Sequence, residues 1–277
     1  MKWLLIEKYT DFLEIVMIEK YYLYKDERLG EEALQVVISK YEPHIKVGKG
    51  TVIVFAGGGY SCRCAYEDVA YAQFINSLGL TAFVVDYRCY PNQFPDELLD
   101  ARTAVRFVRK NADKFDIDPT KIAVMGSSAG GHLCALLSTY RGKLANEELT
   151  ENFQVDYLPS AQVLCYPVIS SKEDIIHEGS YRNLLGELYD QKDKFSPDLI
   201  ADEKTPMAFI WHTFEDQLVN VINSYAYAER LKKVGVLTEL HVFPHGVHGE
   251  NLGNNNQHVG QWKRLFENWL RLNGYFN

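Results

Sequence analysis

A serine set among glycines is the first residue in this chain equipped for chemistry. Gly126-Ser127-Ser128-Ala129-Gly130 is a G-x-S-x-G run. The apolar stretch Ile122–Met125 precedes it, and the helix-forming run AGGHLCALLS follows it. A strand that turns sharply into a helix there would hold the central serine at the strand's carboxyl end with its Oγ exposed. The glycines permit a tight turn and close backbone packing. A serine hydroxyl is a poor nucleophile at neutral pH, so a base must take its proton and an acid must orient that base. In strand–turn–helix sites of this kind the chain order is Ser, then Asp or Glu, then His. Asp216 falls just past the apolar run Met207–His212, with Glu215 as the rival acid. His248 follows the run Thr238–Phe243, with His245 as the rival base. His241 alternates within that run and reads as packing, while His132 reads as structural or pocket-lining rather than as the base.

Acyl transfer places negative charge on the former carbonyl oxygen, and backbone amides aimed at that position stabilise it. One such amide belongs to Ala129, next after the nucleophile. The others are expected from a glycine-rich loop after an early strand, and Gly57-Gly58-Gly59-Tyr60 after TVIVFA supplies it, with Gly58 and Gly59 as donors. A phosphate-binding turn is the competing reading, but neither G-x-G-x-x-G nor a G-K-S/T loop is present. Cys62 and Cys64 form a C-x-C without a second pair, and the histidines make no H-E-x-x-H, so no metal site is expected. The chemistry outlined needs no metal and no organic cofactor.

These residues require a scaffold that brings distant segments to one place. Strands are expected at 34–39, 51–56, 80–87, 122–126, 161–168, 207–212 and 238–243 from their apolar, β-branched runs. Helices are expected near 67–78, 96–111, 129–139, 181–185, 220–233 and 258–272. Such alternation implies an α/β fold, a mostly parallel sheet covered on both faces, with ligands at the carboxyl ends of the strands. Every chemical motif above falls at such an end. Near-helical spacing of Leu5, Phe12, Ile15, Val16, Glu19 and Tyr22 suggests an N-terminal helix, arm or cap element over residues 1–33, with Tyr22–Tyr24 also suited to an extended run and an ordinary packed extension as the competing reading. The long connection 169–205 suits a lid over the site and, with Tyr60, is expected to shape the acyl and alcohol pockets.

Whole-chain arithmetic narrows the partners. The chain has 277 residues, is 47% hydrophobic and carries a formal charge of −8, ordinary for a globular protein and unsuited to a general nucleic-acid surface. Small neutral molecules are the default partners, and no apolar run approaches the length of a membrane span. Five cysteines at irregular spacing do not form a disulfide framework, and the apolar run Trp3–Ile6 is too short for a secretory signal, so a cytoplasmic location is expected. A homodimer is admitted but not specified.

The segments VIVFAGGGY (52–60), VVDYRCYPNQFP (84–95), Asp100, DPTKIAVMGSSAGGHL (118–133), WHTFEDQLV (211–219) and FPHGVHG (243–249) run in the order of a known family. The chain resembles an α/β-hydrolase of the carboxylesterase type, in the hormone-sensitive-lipase-like and acetyl-xylan-esterase-like group. The resemblance covers about residues 34–272 and implies one domain over 1–277. It implies Ser128 as nucleophile, Asp216 as acid, His248 as base and the amides of Gly58, Gly59 and Ala129 as oxyanion hole. Ala56 stands where hormone-sensitive-lipase-like enzymes carry a histidine, and the GGGY form looks closer to sugar-ester hydrolases. The implied activity is hydrolysis of short-chain carboxylic esters, acetylated sugars included. A serine peptidase or amidase of the same fold and an inactive binding protein are the alternatives.

Overall fold

The computed structural model describes residues 17–277. The strands are β1 Met17–Tyr22, β2 Val37–Glu42, β3 Thr51–Phe55, β4 Thr81–Val85, β5 Ile122–Ser127, β6 Ala161–Cys165, β7 Met207–Thr213 and β8 Thr238–Phe243. The helices are α1 Ala65–Ser77, α2 Asp96–Lys110, α3 Ala112–Phe115, α4 Ser128–Thr139, α5 Glu178–Leu185, α6 Pro197–Ile200, α7 Ile222–Lys233 and α8 Trp262–Leu272. All strands join one 8-stranded sheet in the order β1-β2-β4-β3-β5-β6-β7-β8. From β4 to β8 every neighbouring pair is parallel, and β1 and β2 add an antiparallel edge.

The central strands read as unbroken apolar runs because both faces of the sheet are covered. In β3, Ile53 and Phe55 point into the core shared with α2, α4 and α7, while Val52 and Val54 point into the core shared with α1 and α8. Full burial of each such side chain is worth roughly 1.5–3 kcal/mol. Under α8 the indole rings of Trp211 and Trp262 stack with centroids 5.2 Å apart.

The N-terminal expectation needs correction. Residues 17–22 form an edge strand paired with β2, not a helix, and they lie at the sheet edge far from Ser128 in strand order. The half-exposed edge strand has only one weakly apolar face, and its alternation was lost beside the near-helical spacing of the residues before it. The part of the expected arm before residue 17 lies outside the described residues. The segment that follows β1 is tied down by polar contacts instead. Tyr24 donates its hydroxyl to Asp100 Oδ1 at 2.6 Å, and Arg88 donates to the same carboxylate from its amide (2.8 Å) and its guanidinium (2.7 Å).

The connection 169–205 is largely helical, comprising α5, a 3-10 segment Gly186–Phe195 and α6. Its inner residues Tyr181, Leu184, Leu185 and Phe195 belong to the core. Among the described residues no helix is long and apolar enough to cross a membrane, and all five cysteines are free.

Removing Asp100 takes from the buried Arg88 guanidinium its fully buried carboxylate and leaves it only Asp96, at 3.1 Å. Asp100→Ala is therefore expected to lower the unfolding free energy by about 3–5 kcal/mol in urea titration. A change under ~1 kcal/mol would contradict this.

Candidate active site

The elbow after β5 follows from steric demands that only glycine meets. A Cβ on Gly126 would stand 2.2 Å from the Gly130 carbonyl oxygen. A Cβ on Gly130 would stand 2.1 Å from the Phe55 carbonyl oxygen. The start of α4 is thus pressed against the end of β3, so the loop after β3 lies beside the elbow. Ser128 itself has φ +52°, a conformation disfavoured for a residue with a Cβ. Such strain persists only where the surroundings enforce it.

The Ser128 hydroxyl meets His248 Nε2 at 2.9 Å. His248 Nδ1 meets Asp216 Oδ2 at 2.7 Å. A carboxylate only accepts, so Nδ1 carries the proton and Nε2 presents its lone pair to the hydroxyl. Asp216 Oδ1 accepts from the amides of Leu218 and Val219, each at 2.9 Å. His212 Nε2 donates to Asp216 Oδ2 at 3.1 Å and to the Val219 carbonyl at 3.0 Å. Its Nδ1 then accepts from the Ser224 hydroxyl at 2.8 Å. Burial alone would raise the Asp216 pKa, but the hydrogen bonds from His212 and His248 outweigh it and hold the carboxyl below the usual carboxylate range.

The rivals are left aside by the same geometry. Glu215 and His245 bond to each other at 2.9 Å on the surface, with side chains 54% and 78% exposed. His241 pairs with Glu239 at 2.7 Å.

The glycine loop takes a backbone path reserved for glycine. Gly58 has φ +131°, and a Cβ there would stand 2.3 Å from the Cys62 carbonyl oxygen. Gly59 and Tyr60 follow at φ +63° and +59°. Among the described residues the amides of Gly58 and Gly59 donate to no protein acceptor. Asn183 of α5 holds the loop from the far side, donating to the Gly59 carbonyl at 2.8 Å.

Tyr60 and His132 are both buried, at 0% and 1% exposed, and they bond to each other, which agrees with the structural alternative for His132. His132 Nε2 donates to the Phe195 carbonyl at 3.0 Å, and Nδ1 accepts from the Tyr60 hydroxyl at 2.8 Å. Burial pulls this imidazole down to about 4, so it is neutral at pH 7.

Several residues around the site were invisible in the sequence. Glu67 of α1, 2% exposed, accepts from the Gly57 amide at 2.7 Å, from the Ser127 hydroxyl and from the Tyr166 hydroxyl at 2.9 Å. The Tyr166 ring in turn meets the His248 ring edge-on, with centroids 5.0 Å apart. His177 caps α5, its Nδ1 accepting from the Ser180 amide at 3.3 Å. Burial first, and then His248 nearby, lower the His177 pKa. None of these residues sits in a motif. An acidic residue inside an otherwise buried helix face was the one available signal for Glu67.

A parallel sheet with a strained serine elbow after one central strand, and an acid and a histidine arriving from beyond β7 and β8, places the chain among the α/β-hydrolases. Within that fold it belongs to the BD-FAE family, which it matches over residues 40–231. It is 35% identical over 215 residues to endo-1,4-beta-xylanase B of Butyrivibrio fibrisolvens, covering 75% of this chain and 33% of that protein. It is 30% identical over 227 residues to the acetylxylan esterase of Xylanibacter ruminicola, covering 79% of this chain and 45% of that one. The chain thus spans a third to under half the length of these relatives. Among solved structures, the acetyl ester-xyloside bifunctional hydrolase from Caldicellulosiruptor lactoaceticus matches with a TM-score of 0.84 at 37% identity, covering 94% of this chain and 97% of that one.

Two measurements probe this electrostatic frame. Glu67→Ala leaves buried donors without an acceptor at about 1–3 kcal/mol each, so its unfolding free energy should fall by more than ~3 kcal/mol. Wild-type stability would contradict the shared role given to that carboxylate. Because the Asp216 pKa is lowered on folding, its pairing adds stability above the ordinary carboxyl pKa of about 4 and loses it as pH falls toward the folded value. Asp216→Asn is expected to flatten this acid limb in thermal unfolding followed from neutral to low pH. An acid limb as steep as that of the wild type would exclude Asp216 as its source.

Proposed function

We propose that this chain is a serine esterase hydrolysing short-chain carboxylic esters, acetylated sugars among them, through Ser128, His248 and Asp216. The observation that carries this reading is the hydrogen-bonded relay from the Ser128 hydroxyl to His248 (2.9 Å) and on to Asp216 (2.7 Å). His248 Nε2 takes the hydroxyl proton as Oγ attacks the ester carbonyl. The oxyanion that forms is held by the amides of Gly58, Gly59 and Ala129. His248, now doubly protonated and stabilised by Asp216, gives its proton to the departing alcohol. Water then enters, is deprotonated by the same nitrogen and releases the acid from Ser128.

The acetyl preference is supported by the names of relatives, the X. ruminicola acetylxylan esterase above all. We assign the segment 169–205 to a lid that shapes the acyl and alcohol pockets. It reaches the oxyanion loop through Asn183 and approaches His248 through His177. Exchanging it should change substrate preference while leaving the chemistry in place.

Ser128→Ala is expected to lower kcat on p-nitrophenyl acetate by about 10⁴-fold or more. His248→Ala should be nearly as damaging, whereas His245→Ala should change little. The reverse ranking of the two histidines would move the base to His245. Turnover of aminoacyl anilides faster than of p-nitrophenyl acetate would favour an amidase instead.

A further inference from the structure

One side chain of the segment 169–205 has a hydrogen-bonding end that its structural role leaves free. His177, the N-cap of α5, shares one helix face with Ser180 and Asn183 through their three-residue spacing. That face is turned to the glycine loop after β3. Asn183 donates to the Gly59 carbonyl at 2.8 Å, and the Ser180 hydroxyl lies 3.9 Å from where a Cβ on Gly59 would stand. His177 stands about one turn earlier, close enough to His248 and Asp216 for both to act on its charge. From Asn183 to His177 the face thus runs from the glycine loop toward His248, along the space in which an ester on Ser128 must sit.

The hydrogen bonds of His177 fix which end of the ring is available. Nδ1 accepts from the Ser180 amide at 3.3 Å and from the Ser180 hydroxyl at 2.8 Å. An amide N–H aimed at Nδ1 excludes a proton there, so the neutral ring carries its proton on Nε2. Nε2 lies on the far side of the ring from this cap. Among the described residues it has no partner, and in this half-buried ring it is open to solvent. Burial first, and then His248 nearby, keep the ring neutral at pH 7. A neutral imidazole is an electrophile: its N–H stabilises an oxygen that gains negative charge, without giving up the proton.

Ester cleavage creates a second such oxygen, besides the one facing the backbone amides. When the tetrahedral adduct on Ser128 collapses, the bond from carbon to the alkoxy oxygen breaks and its electron pair stays on that oxygen. His248 Nε2 delivers its proton to the same atom, so the alkoxy oxygen lies on the His248 side. A further donor there matters most when the alcohol is weakly acidic and leaves poorly.

We propose that His177 donates its Nε2–H to the alkoxy oxygen of the substrate and so assists the departure of weakly acidic alcohols. His248 remains the acid, and His177 keeps its proton throughout. The assignment rests on the ester-hydrolase reading and adds to it a residue that sets which leaving groups are accepted.

Two substitutions separate this role from capping. Asparagine caps a helix well but is too short to replace the Nε2 donor, whereas glutamine carries an amide N–H about as far out as Nε2. Wild type, His177→Asn and His177→Gln are compared on p-nitrophenyl, phenyl and ethyl acetate, which share the acyl group and differ in the acidity of the alcohol. On these, kcat/KM reports the step in which the alcohol leaves. In His177→Asn it should fall about tenfold further on ethyl than on p-nitrophenyl acetate, as expected for one lost hydrogen bond, with phenyl acetate between. His177→Gln should stay close to the wild-type ratio of ethyl to p-nitrophenyl acetate. A wild-type ratio in His177→Asn, whatever the overall rate, would overturn the assignment and leave His177 a cap alone. A ratio in His177→Gln as low as in His177→Asn would overturn it too. Either pattern leaves the esterase reading standing, whereas a wild type inactive on all three esters would overturn that reading itself.

Discussion

Glu67 lies almost wholly out of water, and three separate stretches of chain close on its carboxylate. Gly57 comes from the loop after β3, Ser127 from the last residue of β5 and Tyr166 from the turn after β6. A buried carboxylate without donors is strongly unfavourable, so satisfying it and assembling the site are one event. The glycines make that convergence sterically feasible. Gly130 lets α4 approach the β3 carbonyls, and Gly57 lies so near the elbow that a Cβ there would come within 3.1 Å of the Ser128 Cβ. The glycine loop after β3 and the Ser128 elbow are held to one another through a group that touches neither the Ser128 hydroxyl nor the Gly58 and Gly59 amides.

The second half of the site is a directed series of hydrogen bonds. Asp216 and the Val219 carbonyl fix the tautomer of His212 and so make Ser224 its donor, His212 and two backbone amides fill acceptor positions of Asp216, and Asp216 fixes the tautomer of His248. Each direction follows from the previous one, because a carboxylate can only accept. The result is an imidazole whose free lone pair faces the Ser128 hydroxyl before any substrate arrives. Such preorganisation matters because dipoles already in place need no rearrangement when charge develops.

How much of this was legible depended on how local the cause was. The buried strands and the G-x-S-x-G elbow stood out because apolar runs and glycine sterics act over a few residues. The choice between Asp216 and Glu215, or between His248 and His245, did not, since the neighbours share composition and differ only in the path of a loop. Only the structure shows Glu215 and His245 paired with each other on the surface. Glu67 shows in the sequence only as an acidic residue in a helical stretch, because its partners lie 10, 60 and 99 residues away. The partners of His132 are spread as widely, with the Tyr60 hydroxyl before it in the chain and the Phe195 carbonyl from a segment whose path no motif predicts. At the N-terminus, β1 is an edge strand whose weak alternation competed with a helical spacing and lost.

A Ser128 hydroxyl activated by its neighbours should react with a fluorophosphonate, and mass spectrometry of the treated intact protein locates the adduct. A single stoichiometric adduct on Ser128, formed slowly or not at all in His248→Ala, is the predicted result. An unmodified Ser128, or an adduct on another residue, would contradict it.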